Sequence, residues 1–298
     1  MQSAESRKDT IGASEIAALF DCSPYESRYS LWCKKTGLTP PEPWDERTTR
    51  QQIGIDLERP ILEIWAKREG LTARHNTHSK RSAEHPGLSA TPDGFVWSEI
   101  EGGDPCVADV KTVRSTERKA WLAGIPEHYR WQVQQQTLVT GAPAGWLIAL
   151  FGVDEISATR IEADKSAHLR IIEAADIFWR QIRGEISPPT IDDHRATLAA
   201  IMSQRRESKT IELSPEALEI DDRLRASERA MTELKKQIRA DKALLLRQLG
   251  DADRGVWPNG VGYGVRLESR RAHEVKACTF QKLYRFANVD AEDGEDDE

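Results

Sequence analysis

Thr91-Pro92-Asp93-Gly94-Phe95-Val96-Trp97, and beyond a polar turn Val107-Ala108-Asp109-Val110-Lys111-Thr112-Val113, is the stretch that decides the fold of this chain. Phe95 to Trp97 and Val107 to Val113 are β-branched and aromatic runs, separated by Glu101-Gly102-Gly103-Asp104-Pro105. Such a pattern predicts two strands joined as a hairpin. Asp109 and Lys111 are two residues apart, so strand alternation places both side chains on one face. Asp93 stands where the first strand begins. Pairing the strands therefore brings Asp93, Asp109 and Lys111 together.

Two carboxylates beside one lysine on a rigid sheet suit a hard divalent cation. Mg²⁺ takes oxygen ligands in octahedral geometry and uses only one or two carboxylates, leaving water and phosphate oxygens to complete its shell. The lysine can neutralise charge on a reacting phosphate, or hold or deprotonate an attacking water. Metal-assisted phosphodiester hydrolysis is the chemistry implied. Each signal alone is common, since Pro-Asp-Gly is an ordinary turn and Asp-x-Lys is often a solvated strand face. In this order, each on a strand, they are far more specific.

The pattern resembles the PD-(D/E)xK nucleases, and its neighbours narrow the resemblance to the YqaJ-like viral recombinase family, which includes the phage lambda exonuclease-like enzymes. Four blocks match in order: Ile11-Gly12-Ala13-Ser14-Glu15-Ile16, Gly54-Ile55-Asp56-Leu57-Glu58, the Pro92-Asp93-Gly94 and Asp109-Val110-Lys111 core, and Tyr129-Arg130-Trp131-Gln132-Val133-Gln134. One departure is Asp109, where the lambda-type enzyme has Glu. The resemblance spans roughly residues 7 to 193.

It implies an α/β (α+β) restriction-endonuclease-like core, a mixed central sheet flanked by helices. It further implies that Asp93, Asp109, the Val110 carbonyl and Glu58 hold Mg²⁺, with Mn²⁺ able to substitute. Lys111 and Gln132 would align the attacking water. Arg7 and Ser14, seven residues apart, match a pair that grips a 5′-phosphate at a DNA end. The implied activity is 5′→3′ digestion from duplex DNA ends, leaving a 3′ single strand. The implied partners are a single-strand annealing recombinase and two further subunits in a homo-oligomeric ring of three.

Composition is compatible with this. At 39% apolar and 31% charged residues, the 298-residue chain reads as globular, with room for one large domain and an appendage. No run approaches a membrane span and the polar Met1–Thr10 has no apolar core of a signal peptide, so a cytoplasmic location in a bacterial or phage-infected cell is expected. The four cysteines (22, 33, 106, 278) have no zinc spacing and read as reduced thiols, against the Fe–S branch of the same superfamily. Net charge is -7, but Asp290–Glu298 carries seven acids and no base, leaving 42 acids against 42 bases before it. A neutral body can still hold a basic groove.

Along the chain, Ser14 is expected to cap a short apolar segment at Ile16–Phe20, and Ser27–Thr36 to form a helix ended by Gly37. Asp45–Glu69 reads as helical, with Glu58, Leu62 and Trp65 on one face and Pro60 kinking or restarting it. His75 and His78 read as surface or groove side chains. Ser115–Leu122 is a short helix whose Arg114, Arg118 and Lys119 could track a DNA backbone, or be a solvated face. Pro126–Thr140 is the next helix, with Gln132 and Gln136 one turn apart and facing the cleft. Ala144–Phe151 and Ser157–Ile161 read as strands, and Asp164–Ile182 as an amphipathic helix with Leu169, Ile172, Ala175 and Trp179 inward.

The nuclease domain is expected over residues 1–193, a linker over 194–212, a helix-and-hairpin region over 213–286 for oligomer or DNA contact, and an acidic disordered tail over 287–298. In the long helix from Ser214 to about Leu249, Ala217, Leu224, Met231, Ile238 and Leu245 recur every seven residues, while the companion positions mix Ile220 and Leu234 with Ser227, Asp241 and Gln248. That is half a coiled-coil seam, able to pack on the nuclease body, another subunit or the following sheet. Val256–Leu267 is expected as a hairpin about Pro258-Asn259-Gly260. Tyr263–Phe286, with six Lys or Arg against two Glu, is a candidate second DNA patch. Two other readings stand beside the exonuclease: a structure-specific or nicking endonuclease of the same superfamily, and a catalytically inactive DNA-binding or scaffold protein.

Overall fold

The computed structural model describes residues 8–39, 48–100, 102–204 and 210–265. The described residues up to 204 belong to one compact unit and those from 210 to a second.

In the first unit, chain order runs β1 (Ile11–Gly12), a 3-10 turn (Ile16–Phe20), α1 (Arg28–Thr36), α2 (Thr49–Arg68), β2 (Thr72–His75), β3 (Lys80–Arg81), β4 (Leu88–Ala90), β5 (Gly94–Trp97) and β6 (Cys106–Val113). A 3-10 turn (Ser115–Glu117), α3 (Arg118–Ala123), α4 (Glu127–Thr140), β7 (Ala144–Phe151), β8 (Glu155–Glu162), α5 (Lys165–Ile182) and α6 (Arg195–Met202) follow. The central sheet has the order β2-β5-β6-β7-β8, and a small sheet has the order β1-β4-β3. The mixed sheet flanked by helices agrees with the fold class expected.

β6 and β7 are parallel and all other neighbours in the central sheet are antiparallel. A parallel pair cannot be closed by a tight turn, so the chain crosses over between them, and α4 lies in that crossover. Strand alternation then divides the core. Ala108 and Val110 face a cluster with Leu62, Trp65 and Ile148 beneath α2, while Val113 faces a cluster with Val133, Leu147 and Phe151 beneath α4. Asp109 and Lys111 share the α4 side.

Two glycines allow these layers to close. A Cβ on Gly94 would lie 2.3 Å from the Leu62 side chain and 2.9 Å from the Arg74 carbonyl; one on Gly145 would lie 2.4 Å from Val133 and 2.8 Å from Val107. Each glycine stands at the start of a strand passing under a helix.

The sequence reading is amended in several places. Ser14 does not cap the 3-10 turn: Glu15 is the cap residue, and its carboxylate instead accepts the Gly12 N–H at 2.8 Å. Pro60 lies within the single helix α2, which spans Thr49–Arg68 without a restart. The inward face of α5 is Ala167, Ile171, Ala175 and Phe178, while Leu169 is 67% exposed. Of the residues expected inward, Ala175 is buried and Trp179 packs against the core, while Ile171 and Phe178 take the inner places in front of Leu169. Residues 195–202 are helical, where a linker was expected from 194. α6 packs on α1 through a hydrogen bond between Thr197 and Ser27 at 2.6 Å, and His194 Nε2 is 3.1 Å from the Ser23 carbonyl.

In the second unit, α7 (Pro215–Leu249) leads to the antiparallel pair β9 (Arg254–Val256) and β10 (Gly262–Gly264), with Gly260 at φ 81° in the turn. The hairpin thus begins two residues earlier than expected. Arg7, most of the basic stretch 263–286 and the acidic tail lie outside the described residues. Among the described residues no helix is long and apolar enough to cross a membrane.

Candidate active site

β6 is eight residues long, yet only Cys106, Val107 and Ala108 pair with β5, whereas Val107 to Val113 all pair with β7. β5 begins only at Gly94, so one edge of β6 is left open beyond Ala108. Asp93 fills the first vacant place: its Oδ2 accepts the Val110 N–H at 2.7 Å. The N–H and C=O of a strand residue project to the same edge, so the Val110 carbonyl faces the Asp93 side too. The turn is anchored by Asn76, whose N–H donates to the Asp93 carbonyl at 2.9 Å and whose side-chain amide donates to the Pro92 carbonyl at 2.8 Å.

Asp109 is the centre of the cluster and is 1% exposed. Lys111 Nζ lies 2.6 Å from its Oδ2. On the other oxygen, Oδ1, it accepts the Gln132 amide at 2.6 Å and the Gln136 amide at 2.8 Å. The two glutamines come from successive turns of α4, which the crossover lays over this face. Lys111 Nζ also stands 5.2 Å from the Tyr129 ring centroid, a cation–π contact that supports the ammonium from α4.

The electrostatics follow from this crowding. Burial first, then the Asp109 carboxylate, push Asp93 well above the usual carboxylate range; Glu58 adds to the push, and Lys111 and the Val110 N–H oppose it. Burial acts to lower Lys111, but the Asp109 and Asp93 carboxylates outweigh it and hold the side chain above the ordinary lysine range. Lys111 is therefore an ammonium here, suited to stabilise negative charge rather than to accept a proton. Burial, with Lys111 adding to it, lowers His128, so its imidazole is neutral near pH 7.

Three carboxylates act on this site against one ammonium, a balance that a divalent cation would restore. Among the described residues no three His, Cys, Asp or Glu side chains form a ready-made ion cage. Mg²⁺ does not need one, since one or two carboxylates and water suffice. Asp93, Asp109 and the Val110 carbonyl offer hard oxygen donors on the open edge of β6, and the donor set fits the ion. Glu58 on α2 reaches the same field through its effect on Asp93.

Beside the cluster lies a cavity of about 180 Å³ lined by residues that include Gly12, Ser14, Glu15, Gln132 and Gln136. Its Gly12–Glu15 wall is braced by Lys35, whose side chain is 4% exposed and whose Nζ contacts Glu15 at 2.7 Å and the Thr10 carbonyl at 2.8 Å. Gln135, fully buried, ties α4 to this wall by donating to the Ile11 and Ser89 carbonyls at 2.8 and 2.9 Å.

Residues 4–143 match the model of the YqaJ-like viral recombinase domain. The match covers all four motif blocks and every residue of the cluster. A relative of the YqaJ-like domain, the uncharacterized protein YqaJ of Bacillus subtilis (strain 168), is 22% identical over 255 residues, covering 84% of this chain and 78% of its own length. Two solved structures of the alkaline exonuclease LHK-Exo of Laribacter hongkongensis resemble the fold. Its complex with dAMP aligns at TM-score 0.50 and 19% identity, and the other structure at 0.49 and 19%; each alignment covers 61% of this chain and 91% of that one.

Of the residues expected at the site, Asp93, Asp109, Val110, Lys111 and Gln132 come together around β6, with Glu58 acting on them from α2. Ser14 is exposed on the neighbouring cavity. Arg118 is outside the cluster and holds Glu155 through two contacts of 2.5 and 2.7 Å. Arg114 stands 4.0 Å from Glu117, and Lys119 is exposed. Sequence reasoning missed Asn76 and assigned Gln136 no role. Asn76 carries no motif. The one-turn spacing of Gln132 and Gln136 was the available signal for the second.

Proposed function

We propose that this chain is a Mg²⁺-dependent DNA exonuclease that hydrolyses phosphodiester bonds from duplex ends. The observation that carries the reading is the meeting of Asp93, Asp109 and Lys111 on the open edge of β6. The comparisons support it at the level of domain family and fold.

In this reading Asp93, Asp109, the Val110 carbonyl and Glu58 hold Mg²⁺, or Mn²⁺ in its place. The ion would supply Lewis-acid polarisation of the scissile phosphate and a more acidic water. The chain's own residues do the rest. The Lys111 ammonium, held by Asp109 and the Tyr129 ring, stabilises the negative charge that builds on the phosphoryl oxygens. Gln132 and Gln136 keep the Asp109 carboxylate in one orientation. Water oxygen forms a new bond to phosphorus and loses a proton to solvent, the bond to the leaving oxygen breaks, and that oxygen takes up a proton from solvent.

Ser14, on the cavity wall beside the cluster, together with Arg7, would receive a 5′-phosphate, so that the strand enters the site from its 5′ end. Digestion then runs 5′→3′ and leaves a 3′ single strand for an annealing recombinase. A ring of three subunits around the duplex would keep the enzyme on its substrate. Arg114 and Lys119, and Arg118 if it leaves Glu155, are the nearby cations for backbone contact.

The test is digestion of an end-labelled linear duplex with Mg²⁺, beside a covalently closed circle. Release of label as mononucleotides from a 5′-phosphorylated end, with the circle left intact, is expected. Cutting of the circle would favour the endonuclease reading, and no cleavage of either would favour a DNA-binding scaffold.

A further inference from the structure

α7 is a 35-residue helix with no buried side chain. Ile220, Leu224, Met231, Leu234 and Ile238 are each about half exposed along one stripe. Helical stability in proteins comes mainly from packing of an apolar face, and this stripe has none among the described residues. The charges beside it say what would cover it.

Asp221, Glu228, Lys235 and Lys242 recur every seven residues along one flank of the stripe, the first two acidic and the last two basic. A second helix laid end to end places Lys242 of the partner subunit opposite Asp221 and Lys235 of the partner subunit opposite Glu228. Two-fold symmetry makes each pair twice. In that register Met231 meets Leu234 of the partner subunit and Ile220 meets Leu245 of the partner subunit. A parallel pairing would instead stack Asp241 on its own copy and bring Glu216 toward Asp221 of the partner subunit, with only Arg223 toward Glu228 of the partner subunit in return. Flanking charges of this kind set orientation in coiled coils. From these observations we propose that α7 pairs antiparallel with α7 of a second copy of this chain.

The contact is two-fold, hence separate from the three-fold ring of the proposed function, and does not depend on that reading. It is a weak contact. The seam from Ala217 to Gln248 is about 47 Å long, and Ser227, Asp241 and Gln248 interrupt it. Asp221 also has Arg225 one turn along its own helix, at 3.1 Å.

Disulfide trapping of the full chain tests the geometry. Leu224 and Asp241 face each other between antiparallel copies but stand about 25 Å apart along one helix. The double variant L224C/D241C is expected to form cross-linked dimers on mild oxidation, while L224C alone and the parent chain do not. Cross-linking of L224C in which peptide mapping joins residue 224 of one copy to residue 224 of the other would mean a parallel pairing and overturn the proposal. Absence of dimers in every variant would mean that another segment or protein covers the stripe, and overturn it equally. Charge exchange tests the specificity by sedimentation. The K235E/K242E and D221K/E228K variants should each self-associate about tenfold more weakly, and their mixture should associate at least as well as the parent. A mixture no stronger than its components would refute the assigned pairing.

Discussion

Gln136 is fully buried and donates its side-chain amide to Asp109 Oδ1 at 2.8 Å, one helical turn beyond the Gln132 amide on the same oxygen. A carboxylate so held presents only one arrangement to whatever enters the cleft. If Asp109 holds Mg²⁺ as proposed, a neighbour that orients it should matter by about 10 to 100-fold in affinity or activity, and Gln136 is such a neighbour.

Q136L should therefore lower cleavage by about tenfold or more, with a weaker apparent affinity for Mg²⁺. Q136N, which keeps the amide on a shorter arm, should recover part of the loss. Titration of Mg²⁺ in a cleavage assay, with circular dichroism as the folding control, measures both. A Mg²⁺ dependence identical to the parent would show that Gln132 alone orients Asp109.

K111A should abolish cleavage while leaving binding of a duplex end nearly unchanged. In the proposed reaction the ammonium stabilises the negative charge building on the phosphoryl oxygens, and such groups are commonly worth about 10² to 10³ in turnover. K111R keeps the charge but changes its shape and reach, so it should remain well below the parent. Gel-shift and single-turnover measurements separate the two effects, and retained turnover in K111A would remove Lys111 from the mechanism.

Chelation should stop cleavage without unfolding the protein, because the carboxylate cluster lies on the open edge of a complete sheet and does not hold the core together. Mg²⁺ or Mn²⁺ added back should restore it. D93N and D109N should each fail to recover at any Mg²⁺ concentration. A thermal unfolding midpoint that collapses on chelation would instead assign the ion a structural role.

G94A should destabilise the first unit by about 1 to 3 kcal/mol through overpacking against Leu62 and the Arg74 carbonyl. Denaturant titration reads this directly. Since Gly94 follows Asp93, the shift should also reduce cleavage; parent-like activity and stability together would show that α2 can move aside at no cost.

N76A should loosen the Pro92–Asp93 turn, with its effect concentrated on activity. The lost side-chain bonds, to the Pro92 carbonyl, the His78 carbonyl and the His78 N–H, are worth about 1 kcal/mol each at most, a modest change in stability, since the two to His78 are exposed. Cleavage should fall by more than that change explains, because Asp93 is placed by this turn. An activity loss no greater than the stability loss would count against positioning.

Much of the fold was legible from local pattern. The strands at 95–97 and 107–113, and the Gly-terminated helices α1 and α4, follow from alternation, turn chemistry and capping, all of which act over a few residues. So does the shared face of Asp109 and Lys111. The phase of α5 was not legible, because its apolar residues outnumber one stripe. Ile171 and Phe178 win the core places over Leu169 only because of where α1, α4 and the 3-10 turn sit.

What the amino-acid sequence determined by itself is the set of chemical groups and the strand carrying two of them: a carboxylate and an ammonium two residues apart must share a face. Tertiary structure decided which groups surround that face. The late start of β5 leaves Val110 N–H for Asp93 to take, and the parallel crossover sets Gln132, Gln136 and Tyr129 over Asp109 and Lys111. These partners lie 17 to 27 residues from one another along the chain. Local pattern set Asp93 beside the paired strands and turned Gln132 and Gln136 to the cleft, but which atom each one holds depends on the whole sheet being assembled.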